Sequence, residues 1–208
     1  MTREQRLWTV LGLNIALLGL LVVVGVRAGS LGLLAAAGDY IADTGAIALA
    51  LFAIAHKSRN AHDARAARAP SVAALVNVVL LLLVVVAVLV EAIHRLRTQS
   101  FDLHPVPVMW TAAIAALFMT MGALILGGDV QDAHDTESDK LNMRAVLLDT
   151  VADAVSAAAV AITGVIVLVT GKYLWLDSAV AVVIALVVGY HAIQLLREVR
   201  RDLKGTGG

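Results

Sequence analysis

The chain has 208 residues, of which 60% are hydrophobic and 15% are charged, and its mean hydropathy is +0.87. Soluble domains of this size carry about 45–50% apolar and about 25% charged residues, so much of the surface must face lipid instead of water. Sixteen basic residues balance sixteen acidic ones, which leaves no strongly basic surface for nucleic acid. The absence of cysteine excludes disulfides, thiolate metal sites and thiol catalysis. The composition predicts an integral membrane protein.

Six apolar stretches are long enough to cross a bilayer as helices, which takes about 20 residues at about 1.5 Å each. The first follows Arg3 and Arg6 and is longer than the apolar part of a signal peptide, which favours a retained span. We therefore expect one all-α, six-span transmembrane domain over residues 1–208, with no soluble domain after the last span. The predicted spans are 8–28, 31–56, 72–93, 107–127, 143–170 and 174–196.

Basic residues predict the orientation, because Lys and Arg collect on the cytoplasmic side of membrane proteins. With a cytoplasmic N-terminus, twelve of them lie inside and four lie outside, namely Arg27, Arg95, Arg97 and Lys172. Both termini are thus predicted to be cytoplasmic. We expect two longer cytoplasmic connections. Segment 57–71 should extend a helix and end in a turn at Pro70, and the acidic segment 128–142 should follow a helix stop at Gly127-Gly128.

Predicted spans two and five contain four carboxylates: Asp39 and Asp43 in span two, and Asp149 and Asp153 in span five. An ionised side chain at the bilayer centre costs at least about 2.5–3.5 kcal/mol, which makes such residues candidates for function. The i, i+4 spacing puts each pair on one helix face. Spans two and five run in opposite directions, so packing these faces together gathers four carboxylates. A divalent cation would relieve their repulsion and displace protons, which is the basis of metal–proton exchange.

Two other interpretations of these aspartates need weighing. They could be polar residues satisfied by neighbouring helices, in a membrane scaffold or partner subunit that holds a structural ion. They could also belong to an intramembrane aspartyl protease, which usually carries Gly-x-Gly-Asp and Tyr-Asp on separate helices. Here Ala36 replaces the first glycine before Gly38-Asp39, and Tyr-Asp does not occur. The protease pattern also leaves the second aspartate of each pair unexplained, so we do not expect an enzyme.

Three stretches resemble signatures of the cation diffusion facilitators. Residues 30–43, SLGLLAAAGDYIAD, are similar to the second-span signature, in which His or Asp precedes Asp by four. Residues 141–156, LNMRAVLLDTVADAVS, are similar to the fifth-span signature, and Trp175-Leu176-Asp177 resembles the motif before span six. Asn77 and Glu91 stand where bacterial zinc, cobalt and cadmium exporters of this family usually carry Asn and Glu. The resemblance covers essentially the whole chain.

This resemblance implies a usually homodimeric antiporter in the bacterial inner membrane, which moves a divalent metal out of the cytoplasm against protons by alternating access and needs no prosthetic cofactor. Zinc is the expected cargo. Cadmium, cobalt and manganese are alternatives, because carboxylates select less strongly for zinc than imidazole does. The ferredoxin-like cytoplasmic domain common in the family is not expected here. The residues that match the tetrahedral transport site are Asp39, Asp43, Asp149 and Asp153.

Other polar residues carry weaker predictions. Glu91 either relays protons or pairs with Arg95 at i+4. His191 in span six is expected to pack between helices, and His94 and His104 to lie at the membrane interface. The acidic segment is either a solvated linker or a second metal site that concentrates metal at the cytoplasmic mouth, with Asp132, His134, Asp135 and Asp139 as ligands.

Overall fold

The computed structural model of the chain describes residues 3–41, 44–45, 64–132 and 137–205. These residues form helices joined by short connections, which confirms the prediction of an all-α protein with six helices. Residues 44–45 are also helical. The helices are α1 Arg3–Ala28, α2 Leu31–Ile41, α3 Ala64–Thr98, α4 Pro105–Asp132, α5 Glu137–Thr170 and α6 Trp175–Gly205.

The helices have the length and apolar surface that a bilayer requires. Four of them contain a stretch long and apolar enough to cross a membrane: Leu11–Ala28, Ala74–Thr98, Thr150–Thr170 and Trp175–Arg201. Within the described residues, α2 and α4 contribute shorter apolar stretches, Leu31–Ile41 and Pro105–Met121. Large apolar side chains are exposed along the bundle, for example Val169 at 78% and Leu148 at 69%. A surface of this kind is stable against lipid and not against water.

Two predicted helix ends are wrong. Helix α4 continues through Gly127-Gly128 to Asp132, because glycine costs a helix only about 1 kcal/mol relative to alanine and does not by itself stop it. Helix α3 begins at Ala64, so Pro70 lies inside the helix and not in a turn. A proline removes one backbone hydrogen bond and often kinks a helix instead of ending it. The residues before Ala64, as far back as 46, lie outside the described part of the chain.

Three connections meet at one end of the bundle, which we call the Asp177 end: residues 29–30, 99–104 and 171–174. The backbone N–H of His104 donates to the carbonyl of Ala28 at 2.9 Å, and that of Leu31 donates to the Asp177 carboxylate at 2.6 Å. Helices α1, α3 and α5 therefore end here, and α2, α4 and α6 begin here. The four basic residues predicted to lie outside the cytoplasm belong to this end: Arg27, Arg95, Arg97 and Lys172.

Helix α2 lies in the interior of this bundle. Its residues Leu33, Ala35, Ala37 and Tyr40 are all buried. Small residues let its neighbours approach closely: a Cβ added at Gly25 of α1 would lie 3.0 Å from Leu34, and one added at Gly38 would lie 3.6 Å from Val84 of α3. The most extensive of the other helix pairings are α4 with α5 and α3 with α6.

Candidate metal site

The position of α2 against α5 is defined by one close contact. A Cβ added at Gly32 of α2 would lie 3.1 Å from Cγ2 of Val160 in α5 and 3.0 Å from Oδ1 of Asp177. Glycine is therefore the residue that allows the two helices to approach here. Because α2 begins and α5 ends at the Asp177 end, the two helices run in opposite directions from this contact.

The contact relates two of the predicted ligands. Asp39 lies seven residues after Gly32, and Asp153 lies seven residues before Val160. Seven residues are almost two helical turns, so each aspartate is on the same face as its contact residue and about 10 Å farther along. Helix geometry thus predicts that Asp39 and Asp153 lie at equal depth on the sides where α2 and α5 face each other. Both side chains are half-buried, and each has an interaction partner.

The other two predicted ligands are not described to the same extent. Asp43 lies outside the described residues. Asp149 lies in α5, but its side chain is not among those that the structure describes. Among the side chains that are described, no group of three or more His, Asp or Glu could hold a metal ion. The described part of the chain therefore contains two of the four carboxylates, Asp39 and Asp153, and the four-carboxylate site stays a prediction.

Two neutral polar side chains are described on α3 and just after Asp43 in the chain. The carboxamide of Asn77 in α3 lies directly against Gly45, where a Cβ would overlap it. The hydroxyl of Thr44 is buried and has no hydrogen-bond partner among the described residues. Asn77 was identified by resemblance, whereas Thr44 was missed, although a threonine directly after a span-two aspartate is visible in the sequence. An amide and a hydroxyl can donate to carboxylate oxygens or accept from protonated ones.

Two of the four residues of the second predicted metal site lie on helices. Asp132 is the last residue of α4, and Asp139 lies in the first turn of α5. His134 and Asp135 lie outside the described residues. The expectation of a loop over 128–142 is therefore wrong at both ends, because α4 and α5 extend into it. A metal-binding role for these residues stays a prediction.

Glu91 pairs with Arg95, one of its two predicted roles. Arg95 Nε donates to Glu91 Oε1 at 2.8 Å, one helical turn away on α3. Arg95 Nη1 also donates to the carbonyl of Gly29 at 2.6 Å, which joins α3 to the connection between α1 and α2. The Glu91 side chain is 47% exposed. The pair thus stabilises the Asp177 end of the bundle.

The described histidines lie on the surface. His94 and His104 are exposed at the Asp177 end, as predicted for interfacial residues. His191 is exposed as well, with its ring centroid 6.0 Å from that of Tyr190. The expectation that His191 packs between helices of the chain is wrong, because the side of α6 that carries it faces outward. His56 and His62 lie outside the described residues.

A buried carboxylate at the Asp177 end was not anticipated as a structural centre. Asp177 is 3% exposed and accepts three hydrogen bonds: Ser30 Oγ at 2.6 Å, Leu31 N at 2.6 Å and Gly32 N at 3.2 Å. Ser30 Oγ in turn accepts from Leu33 N at 3.1 Å, so Ser30 caps the N-terminus of α2. Hydrogen bonds to charged groups contribute about 1.5–3 kcal/mol each. In the sequence, Asp177 was visible only as part of a motif.

Comparison with known families agrees with this architecture. A family model described as the cation efflux transmembrane domain matches residues 7–204. A comparison with curated proteins gives no match. Proteins of this family are multi-pass membrane proteins that export metal cations and are typically not enzymes. The match extends over nearly the whole chain and includes all six helices, so the chain belongs to the cation efflux, or cation diffusion facilitator, family.

Proposed function

We propose that the protein exports zinc from the cytoplasm in exchange for protons, and that Asp39, Asp43, Asp149 and Asp153 form its transport site. The contact of Gly32 with Val160 carries this proposal, because equal steps along α2 and α5 from that contact lead to Asp39 and Asp153. Both carboxylates are half-buried between helices of an apolar bundle, where an unpaired charge would be costly.

The same spacing extends to the other two aspartates. In the sequence, Asp43 lies eleven residues after Gly32, and Asp149 lies eleven residues before Val160. Eleven residues are close to three helical turns, so two continuous helices would carry these carboxylates on the same faces as Asp39 and Asp153. Two facing pairs one turn apart supply the four ligands of a tetrahedral zinc site, in which carboxylate oxygens bind at about 2.0–2.2 Å.

Proton exchange follows from the charge of this site. Four ionised aspartates and one divalent ion would leave two uncompensated negative charges, so at least one carboxyl group keeps a proton or a strong hydrogen bond when metal is bound. The ligating carboxylates must be deprotonated, so metal binding releases protons. Protons that return to the empty site in turn reduce its affinity for the metal.

Alternating access completes the proposed cycle. The distribution of basic residues predicts that the Asp177 end faces outward and the opposite end faces the cytoplasm. Zinc then enters from the cytoplasmic end and leaves at the Asp177 end. We propose a homodimer in the bacterial cell membrane, with cadmium, cobalt and manganese as alternative cargoes. A dimer interface would cover part of the exposed apolar surface, which includes Leu83 and Val183.

Metal uptake into proteoliposomes under an imposed pH gradient tests this function. Zinc, cadmium, cobalt and manganese are offered separately to the wild-type protein, Asp39→Ala and Asp153→Ala. Asp102→Ala is the matched control, because Asp102 is an exposed carboxylate at the Asp177 end. We expect gradient-dependent flux, largest for zinc, that is lost in both site variants and kept in the control.

Two results would contradict the proposal. Absence of flux for all four metals, measured with folded wild-type protein, would refute the proposed transport function. Loss of folding or of dimerisation in Asp153→Ala would instead favour the alternative in which the aspartates hold a structural ion in a membrane scaffold.

A further inference from the structure

Asp177 is a buried carboxylate that the proposed transport chemistry does not use. It accepts hydrogen bonds from three consecutive residues, Ser30, Leu31 and Gly32, at 2.6–3.2 Å. Ser30 caps α2, the helix that carries Asp39, and Leu31 and Gly32 begin its first turn. The side chain at the start of α6 thus holds the N-terminal turn of the helix that bears a predicted ligand.

A second connection joins the same region to α3. Arg95 Nη1 donates to the carbonyl of Gly29 at 2.6 Å, immediately before α2 begins. Because α3 and α6 pack extensively against each other, α2 is attached at its first turn to a pair of packed helices. Asp39 lies eight residues beyond Leu31, about 12 Å along the helix axis.

The chemistry of these bonds indicates whether they break during transport. A gate that opens in every cycle uses contacts whose loss is inexpensive. Here the acceptor is an ionisable side chain that is 3% exposed, and Ser30 is fully buried. A buried polar group that loses its hydrogen-bond partners is costly, because no water replaces them. The bonds are therefore suited to remain intact while other parts of the bundle move.

We propose that Asp177 is a positioning residue for transport: its hydrogen bonds keep the first turn of α2 attached to α6 through the whole cycle, and thereby set the depth and direction of Asp39. The Asp177 end of α2 then acts as a pivot, and the far end of the helix makes the larger movement. This inference rests on the proposed function, since it assigns Asp177 a role in the geometry of the same transport site.

A disulfide in place of the hydrogen bond between Ser30 and Asp177 tests whether this end of α2 acts as a pivot. The chain has no cysteine, so Ser30→Cys with Asp177→Cys introduces a single thiol pair. The 2.6 Å between Ser30 Oγ and Asp177 Oδ1 brings these positions near the separation that a disulfide needs. We expect the reduced double variant to lose zinc uptake and to bind zinc about tenfold more weakly, the lower end of the effect of residues that support metal ligands. The oxidised protein should regain both.

Two outcomes of this experiment would overturn the inference. An oxidised protein that cannot transport, beside a reduced one that can, would mean that the attachment opens in each cycle. Wild-type uptake and zinc affinity in the reduced protein would mean that the attachment has no role in transport.

A second pair of variants separates positioning from folding. Asp177→Asn turns an amide N–H₂ toward at least one donor, and Asp102→Asn changes the same charge at the same end of the bundle. We expect the KM for zinc to rise about tenfold in folded Asp177→Asn and to stay unchanged in Asp102→Asn. A lower yield or a lower Tm with an unchanged KM would mean a structural role alone, and would overturn the inference. Absence of zinc flux and zinc binding in the wild-type protein would instead refute the proposed function.

Discussion

Gly32 of α2 lies against Val160 of α5 so closely that a Cβ on the glycine would be 3.1 Å from Cγ2 of the valine. This contact relates the two helices that carry the predicted ligands. Asp39 and Asp153 are equally far from it along helices that run in opposite directions. The proposed transport site would therefore depend on a contact about two turns away from Asp39 and Asp153.

Enlarging Gly32 should disturb this register. We expect Gly32→Ala to lower the free energy of unfolding by about 1–3 kcal/mol, the usual cost of overpacking, and to reduce zinc uptake. Gly12→Ala is the matched control, because a Cβ on Gly12 meets nothing within 4 Å, and we expect it to be neutral or slightly stabilising. Thermal unfolding in detergent and proteoliposome uptake check both variants.

A compensating substitution sharpens this prediction. Val160→Ala removes the methyl groups that a Cβ at position 32 would meet, so we expect it to restore part of the Tm and uptake lost in Gly32→Ala. The remaining deficit should reflect the contact with Asp177 Oδ1 at 3.0 Å. Equal Tm values for Gly32→Ala and Gly12→Ala would contradict the role assigned to this contact.

Zinc affinity should depend on pH. The ligating carboxylates bind metal only when deprotonated, so the Kd for zinc should rise as the pH falls. The rise is expected to approach about tenfold per pH unit for each proton that the metal displaces. Calorimetric titration of zinc at several pH values, in buffers with different ionisation enthalpies, measures both the Kd and the number of protons released. A Kd that is independent of pH, without proton release, would refute the coupling.

Substituting Glu91 should leave coupled transport intact. Its carboxylate is half-exposed and bound to Arg95 within α3, and exposed i, i+4 pairs contribute about 0.3–0.5 kcal/mol. We therefore expect Glu91→Gln to keep both zinc uptake and its dependence on the pH gradient. Arg95→Met should be more harmful, because it also removes the donor to the Gly29 carbonyl. If Glu91→Gln abolished only the dependence on the pH gradient, Glu91 would be a proton relay after all.

The sequence was sufficient to predict the helices, and it shows the i, i+4 spacing of the two aspartate pairs directly. Long apolar stretches can be recognised directly in the sequence. The predicted ends of α1 at Ala28 and of α5 at Thr170 agree with the structure. The pairing of Glu91 with Arg95 was also predictable, because partners at i, i+4 on a helix meet whatever the fold. The predicted stops at Pro70 and Gly127-Gly128 failed because neighbouring residues that favour a helix outweigh one or two that do not.

Contacts between distant residues could not be predicted in this way. Ser30 and Asp177 are 147 residues apart in the sequence, and neither the periodicity nor the motif around Asp177 identifies its partner. The register of α2 against α5 likewise became visible only through the contact of Gly32 with Val160. The Asp pairs predict which faces of α2 and α5 carry the proposed ligands, while the depth at which those faces meet depends on helix packing.

The proposed transport site requires that Asp39 and Asp153 face each other between α2 and α5. Because the chain has no cysteine, Asp39→Cys with Asp153→Cys can be tested with a short bifunctional maleimide, and the intramolecular cross-link detected by mass spectrometry. The control pair combines Asp39→Cys with Ala154→Cys, which moves one thiol about 100° around α5. We expect efficient cross-linking of the 39/153 pair and little cross-linking of the control pair. Equal cross-linking of both pairs, or cross-linking of the control alone, would contradict this arrangement.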